Sequence, residues 1–345
     1  VAKLAGVSAS TVSRVINSRT NVKTDTAESV RRAMQELQFK PARRRVDRSI
    51  GGRSSDRKTH IAMLILGSSD SNSIPPHEAL LRGASAVCDR VGVQLSLRLA
   101  ADPDTAVASL DRHAVNGILI HGQRPTRVPA AIQQQIPTVW LMANRLRPTW
   151  GDQVMPDGTG IGQLAAQHLL RKGHRNVAYF GLNTNWSFGV RWLSFREVVE
   201  AAGGTAHELT RDNLDFTHYW TLVGAGEAIE GLVQQLLDLS PRPTAAFVAE
   251  DWLLPLLYAS LARRGISAGP GCDIDIVSCN NQPVHLMGLP NRPPTIDIRI
   301  ESIGRYGVEQ LLWRIRHGLD APRIRMMVEP IMVDHTNPEA RCDPL

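Results

Sequence analysis

The sequence predicts an α/β protein with a helical head: a helix-turn-helix unit in front of a doubly wound body of two lobes. Three observations predict it. Residues 1–38 hold three short stretches with apolar residues at helical spacing, the first two separated by Gly6. Charge is divided unevenly, with 14 Lys/Arg against 5 Asp/Glu in residues 1–60 (+9) and 25 against 28 thereafter (−3). From Thr59 onwards short apolar runs alternate with amphipathic stretches, the pattern of a parallel sheet covered by helices.

The head comes first in the chain. Val1, Leu4 and Ala5 make an i, i+3, i+4 stripe, and Gly6 supplies the turn. Ser8 then stands where an N-cap belongs. Beyond it Val12, Val15 and Ile16 share one apolar face, while Ser10, Ser13, Arg14 and Asn17 share the opposite one. That polar face is short, uncrowded and built from hydrogen-bonding groups, where a merely solvated helix more often carries Glu and Lys. A third stretch opens on Asp25 and Glu28, spaced as a capping box, and continues through Val30, Ala33, Met34 and Leu37.

Pro41 ends the head, and the arginine-rich, Gly/Ser-terminated segment "PARRRVDRSIGGRSSDRK" reads as a hinge or linker that cannot bury a core by itself. The chain therefore divides into a head (1–39), a linker (40–59) and a body (60–340). Strands are expected at 61–66, 93–99, 117–122, 136–142, 176–181, 244–250 and 273–279, with helices at 77–91, 160–172, 187–202, 226–239 and 250–264. The body is long for one such sheet, so two α/β lobes with a cleft are expected.

Composition narrows the function classes. At 345 residues, 43% hydrophobic and 21% charged, the chain can bury a large core. Its longest apolar run, Ile61–Leu66, is far too short for a bilayer. No secretory signal is visible, and Cys88, Cys272, Cys279 and Cys342 show no paired spacing, so reduced thiols in a cytoplasmic protein are expected. A basic head on a near-neutral body is the electrostatic footprint of a nucleic-acid binder with a separate sensing domain. Enzyme motifs are lacking: His168 and His174 are six apart rather than four, "HEALL" lacks a second histidine, and "GTGIG" reads as a helix start. No catalytic residue, metal or cofactor is expected.

The segment "VAKLAGVSASTVSRVIN" closely resembles the head motif of the lactose-repressor/galactose-repressor family of bacterial transcription regulators. "DGTGIGQLAAQHLLRKGHRNVAYFG" and "PTAAFVAEDWLLPLLYASLARRGISAGPGCDIDIVS" resemble that family's sensor domain, whose fold is that of periplasmic sugar-binding proteins. The resemblance covers nearly the whole chain. It implies lobe one at about 60–157 plus 299–322 and lobe two at about 158–298 plus 323–340. It also implies a homodimer on a two-fold-symmetric operator in double-stranded DNA, a nucleoid location, and no membrane partner. No leucine heptads follow the last sheet segment, so a dimer is expected rather than a coiled-coil tetramer.

Carried over position by position, Ala9, Ser10, Ser13 and Arg14 fall where the family reads bases, with Arg14 able to bond a guanine edge bidentately. Ser8, Thr11, Asn17, Asn21, Lys23 and Thr26 fall where it touches phosphates. The family's hinge wedges a leucine into the minor groove. Here either Ile50 takes that role, or Arg48 enters a narrow minor groove, or the segment is a basic tether.

The resemblance also places a sugar-like effector in the cleft, against the carboxyl ends of strands and the first turns of helices. The candidates are Ser68, Ser69 and Asp70 after the first strand, Asn144 and Arg145 after "IPTVWLM", Ser187 and Arg191 on one helix face, Trp220 as a stacking ring, the Glu250–Asp251 pair, and Asn280. Each has a plainer reading: a turn for Ser68–Asp70, core packing for Trp220, and stabilisation of a helix N-terminus for Glu250 and Asp251. Asn280 stands where sugar-binding members often carry Asp, and Ile298 where a glutamine is common, departures that sit poorly with a simple hexose. Two other functions fit the body: a solute-binding protein of a transport system, which the head motif opposes, and an effector-independent regulator with a degenerate cleft.

Overall fold

In a computed structural model of the chain the described residues are 2, 4–8, 11, 12, 15, 24–36, 59–67, 74–111, 113–142, 150–181, 186–210 and 222–334. They belong to two compact units, Val1–Arg57 and Lys58–Leu345.

In the first unit, Gly6 takes φ +65° and the Val7 N–H donates back to the Ala2 carbonyl at 3.1 Å, the six-to-one bond of a Schellman turn. Ser8 then caps the next helical turn. Its Oγ accepts the Thr11 N–H at 3.2 Å, and its carbonyl accepts the N–H groups of Thr11 and Val12 at 3.0 and 3.1 Å. Thr11, Val12 and Val15 are helical, and Val12 is buried. Helix α1 (Thr24–Glu36) buries Val30 and Ala33, as their spacing predicts. It begins at Thr24, one residue ahead of Asp25, so Asp25 lies inside the first turn instead of capping it. There its carboxylate meets the positive end of the helix dipole.

The second unit holds two six-stranded sheets. The first, in the order β11-β5-β4-β3-β1-β2, comprises β1 (His60–Leu66), β2 (Gln94–Ala100), β3 (Gly117–Gly122), β4 (Thr138–Leu141), β5 (Asp152–Pro156) and β11 (Arg325–Val328), every neighbour parallel. The continuous apolar run of β1 is explained by burial on both faces. Ile61, Met63 and Ile65 point into one core with α2 (Ile74–Val91) and α10 (Ile300–His317). Ala62, Leu64 and Leu66 point into another with α3 (Pro103–Ala108) and α4 (Ala130–Gln135).

The second sheet runs β12-β10-β9-β8-β6-β7. Its strands are β6 (Asn176–Phe180), β7 (Thr205–Leu209), β8 (Ala245–Val248), β9 (Asp275–Cys279), β10 (Thr295–Asp297) and β12 (Ile331–Val333). All pairs are parallel except β12 with β10. Helices α5 (Gly158–Arg171), α6 (Trp186–Ala201), α7 (Leu222–Asp238), α8 (Leu254–Ala262) and α9 (Pro283–Leu286) belong to this lobe.

Three crossings join the lobes among the described residues: β5 to α5, β10 to α10, and β11 to β12. Two of them are tied together, the Asp157 N–H donating to the Val328 carbonyl at 2.9 Å. One boundary differs from the sequence expectation. The family resemblance puts residues 325–328 in lobe two, but they form β11 against β5 in the first sheet, and the chain returns to lobe two only at β12.

Candidate functional site

Parallel strands bring their carboxyl ends to one edge of each sheet, and at the seam between the lobes the ends of β4, β5 and β11 meet the starts of α5 and α6. Helix α6 supplies the main polar group there. Phe188, Trp192, Phe195 and Val199 fall at i, i+4, i+7 and i+11, and all are buried. Trp192 and Phe195 pack with Tyr179 and Phe247 in an aromatic cluster whose ring centroids lie 5.4–6.3 Å apart. The Tyr179 hydroxyl donates to the Phe188 carbonyl at 3.0 Å and so fixes the first turn. Gly162 of α5 lets α6 approach closely, since a Cβ there would fall on Ser194 Oγ and the Arg191 carbonyl.

This anchoring holds Arg191 at 4% exposure. Its Nη1 donates to the Ala249 carbonyl at 2.6 Å, its guanidinium lies 5.2 Å from the Phe188 ring centroid, and its Nε is buried without a protein partner. Ser187 and Arg191 line a narrow pocket together with Trp186, Val190 and Gly158 from lobe two. Lobe one contributes Met142, Met155, Pro156 and Met327. Met142 ends β4 at φ +51°, a left-handed conformation that costs a non-glycine residue about 1 kcal/mol or more. Asn280 and Asn281 after β9 have φ +110° and +52°, and Arg299 at the second crossing has +54°. Of these four residues Met142 lines the seam pocket.

The carboxylates are placed differently from each other. Asp251 is fully enclosed. Its Oδ1 accepts from Ser278 Oγ at 2.6 Å and Thr295 Oγ1 at 3.0 Å, and its Oδ2 from the Gln282 N–H at 2.7 Å. Expected as an effector contact, it instead ties the ends of β8, β9 and β10 together and so positions the Asn280 loop. Burial pushes it up to about 7, against the pull of those three hydrogen bonds. Glu250 is also raised by burial, opposed by the Trp252 indole, which donates to it at 2.5 Å, by the Arg191 charge and by Asn280. Asn280 is buried, its N–H bonded to the Ile296 carbonyl at 2.8 Å.

Two histidines not expected at the site, one of them the histidine of "HEALL", lie at the lobe-one edge. His121 ends β3 and bonds the Leu141 carbonyl through Nδ1 at 3.1 Å. His77, in the first turns of α2, meets it edge-on with centroids 5.1 Å apart. Burial, then the neighbouring His121, lowers His77 to about 4; burial lowers His121 as well. The available signal was a polar residue closing the otherwise apolar run "GILIHG".

Among the expected effector contacts, Ser187, Arg191, Glu250, Asp251 and Asn280 lie in described parts of lobe two. Ser68, Ser69, Asp70, Asn144, Arg145 and Trp220 lie outside the described residues. So do Ala9, Ser10, Ser13, Arg14, Asn17, Asn21, Lys23, Arg48 and Ile50 of the expected DNA face. Of that face, Ser8 and Thr11 are joined through their hydroxyls at 2.9 Å, and Thr26 is half-buried on α1.

Residues 1–42 match the model of bacterial regulatory proteins, lacI family, and residues 166–333 match that of the periplasmic binding protein-like domain. The head is thus a lacI-family head, and the body it precedes is of the periplasmic binding protein-like kind. Similar proteins include the HTH-type transcriptional repressor PurR of Haemophilus influenzae (strain PittEE), 27% identical over 92% of this chain and 90% of that one. The Ribose operon repressor of Escherichia coli (strain K12) is 26% identical over 97% of each. Among solved structures, a transcriptional regulator CelR–cellobiose complex superposes with TM-score 0.64 at 23% identity, covering 96% of this chain and 97% of that one. The lac repressor dimer bound to operator and the anti-inducer ONPF superposes with TM-score 0.61 at 19% identity, covering 96% of each. These structural matches show the two-sheet fold of lacI-family regulators.

Proposed function

We propose that this chain is a lacI-family DNA-binding transcriptional regulator, acting as a repressor, whose operator affinity is set by a small molecule bound between the lobes. One observation carries the reading. A lacI-type head at residues 1–42 is joined in one chain to a two-lobed body whose seam holds a buried arginine with an unpartnered Nε. The PurR and ribose repressors named above are similar over nine-tenths or more of this chain. A solute-binding protein needs no such head, and an enzyme is not proposed, because the similar PurR and ribose repressors are repressors by name. No helix among the described residues is long and apolar enough to cross a membrane. A DNA-binding role fits a cytoplasmic protein. The solved lac repressor dimer on its operator supports a homodimer here, each head taking one half-site. Sugars and sugar derivatives enter as an effector class through the ribose repressor and the cellobiose complex.

Within the head, Arg14 reads a base and Lys23 holds a phosphate. Selection of duplexes from a random pool by the intact chain supplies the operator for testing this. Arg14→Ala is expected to cost about 1–3 kcal/mol on that operator and to relax preference at one base pair. Lys23→Ala is expected to weaken all duplexes alike and to flatten the salt dependence of binding. Equal losses on operator and scrambled DNA for Arg14→Ala would refute the assignment.

A further inference from the structure

We infer that the seam takes an aromatic carboxylate, a flat apolar ring carrying one anionic group, rather than a free sugar. The inference rests on the reading of the seam as the effector site and narrows its ligand.

The lobe-one wall is the decisive surface. A hexose presents hydroxyls around its whole rim, and each one buried without a partner forfeits its hydration. The described lobe-one residues that line the pocket are Met142, Met155, Pro156 and Met327, none with a hydrogen-bonding side chain of any strength. Their surface is apolar and polarisable, and thioethers favour contact with aromatic ring edges. Trp186 and Val190 continue that surface on lobe two. Met142 is held there in a left-handed backbone conformation, which a glycine would adopt at less cost. The strained backbone thus places a thioether on the seam.

The polar groups gather at one point. Arg191 is buried and spends one Nη1 donor on the Ala249 carbonyl, and its Nε–H, also buried, has no protein acceptor. A carboxylate satisfies that donor and lies against a full positive charge shielded from water. Ser187, one turn earlier on the same face, lines the same pocket. Among the described lining residues a charged or hydroxyl side chain comes only from Arg191 and Ser187, on one helix face, an arrangement that matches a ring with a single acid group better than it matches a polyol.

The test is a calorimetric and thermal-shift panel on the intact chain. Its members are benzoate, 4-hydroxybenzoate and phenylacetate; benzyl alcohol and cyclohexanecarboxylate as matched probes lacking the charge or the flat ring; and D-ribose and D-glucose. At least one aromatic carboxylate is expected to bind tenfold or more tightly than both matched probes and both sugars. Arg191→Gln is expected to abolish that preference for the acid over benzyl alcohol, and Arg191→Lys to retain part of it. The comparison within the wild-type panel does not depend on either variant folding. Tighter binding of either sugar, or no response to any of the three acids, overturns the inference. Sugar binding that alters operator affinity would leave the effector reading standing, whereas an acid that binds tightly without altering operator affinity would overturn that reading alone.

Discussion

Replacing Arg314 by Met would leave the Asp152 carboxyl group without its cationic partner where its side chain has no exposure at all. The pair is bidentate, Nε to Oδ2 at 2.9 Å and Nη2 to Oδ1 at 2.6 Å, and Gln310 and the Ile324 N–H complete the carboxylate's shell. The same guanidinium donates to the carbonyls of Ala321 and Pro322, so it also holds the turn that leads into β11. Breaking a buried pair from one side costs about 3–5 kcal/mol. Urea unfolding of Arg314→Met is expected to show a loss of that size, and a change below about 1 kcal/mol would mean the pair is not as enclosed as its geometry indicates. Asp251 gives a prediction of opposite character. Its folded value, about 7, lies above its ordinary 3.8, so the folded state holds the proton more tightly than the unfolded chain does. Its contribution is complete below about pH 4 and is lost as pH rises towards 7. Stability measured from about pH 4 to pH 7 is therefore expected to fall less steeply in Asp251→Asn than in the wild type.

At the scale of elements, the α5–α6 contact joins packing to the site. Gly162→Val would push α6 away from α5 and carry Arg191 off the Ala249 carbonyl. A drop in melting temperature together with lost ligand binding is expected, and unchanged ligand affinity would show that α6 does not position the arginine. How far the elements are legible in the sequence depends on their contacts. β1, β3 and β6 are continuous apolar runs, and they form within one residue of where the pattern places them. β5 escapes the pattern because "DQVMP" opens on a buried aspartate, neutralised by an arginine more than 160 residues away. β7, "TAHEL", is an edge strand with one buried residue, too polar to stand out. β10, β11 and β12 are three or four residues long. No local period tells which sheet such a strand joins, which is why residues 325–328 fall in the other lobe from the one expected. At the seam, Ser187 and Arg191 are legible from their spacing at a helix start. The role of Asp251 is hidden because its three partners come from β9, β10 and the turn before α9. The methionine wall is invisible in the sequence, since Met142, Met155 and Met327 come from three strands, or their ends, that only the fold brings together.

At the scale of the molecule, a DNA-reading head is joined to a body whose lobes are linked by three crossings, two of them hydrogen-bonded to each other. A ligand that closes the seam acts on both lobes at once, and by linkage whatever it does to operator affinity the operator does to ligand affinity. The most direct measurement is a fluorescence-anisotropy titration of the selected operator by the intact chain, with and without the panel compound that most raises its melting temperature. Coupling between seam and head predicts a shift in operator affinity of about fivefold or more, a matching shift in ligand affinity when operator is present, and loss of both in Arg191→Gln. A compound that binds the seam tightly and leaves operator affinity unchanged would contradict that coupling.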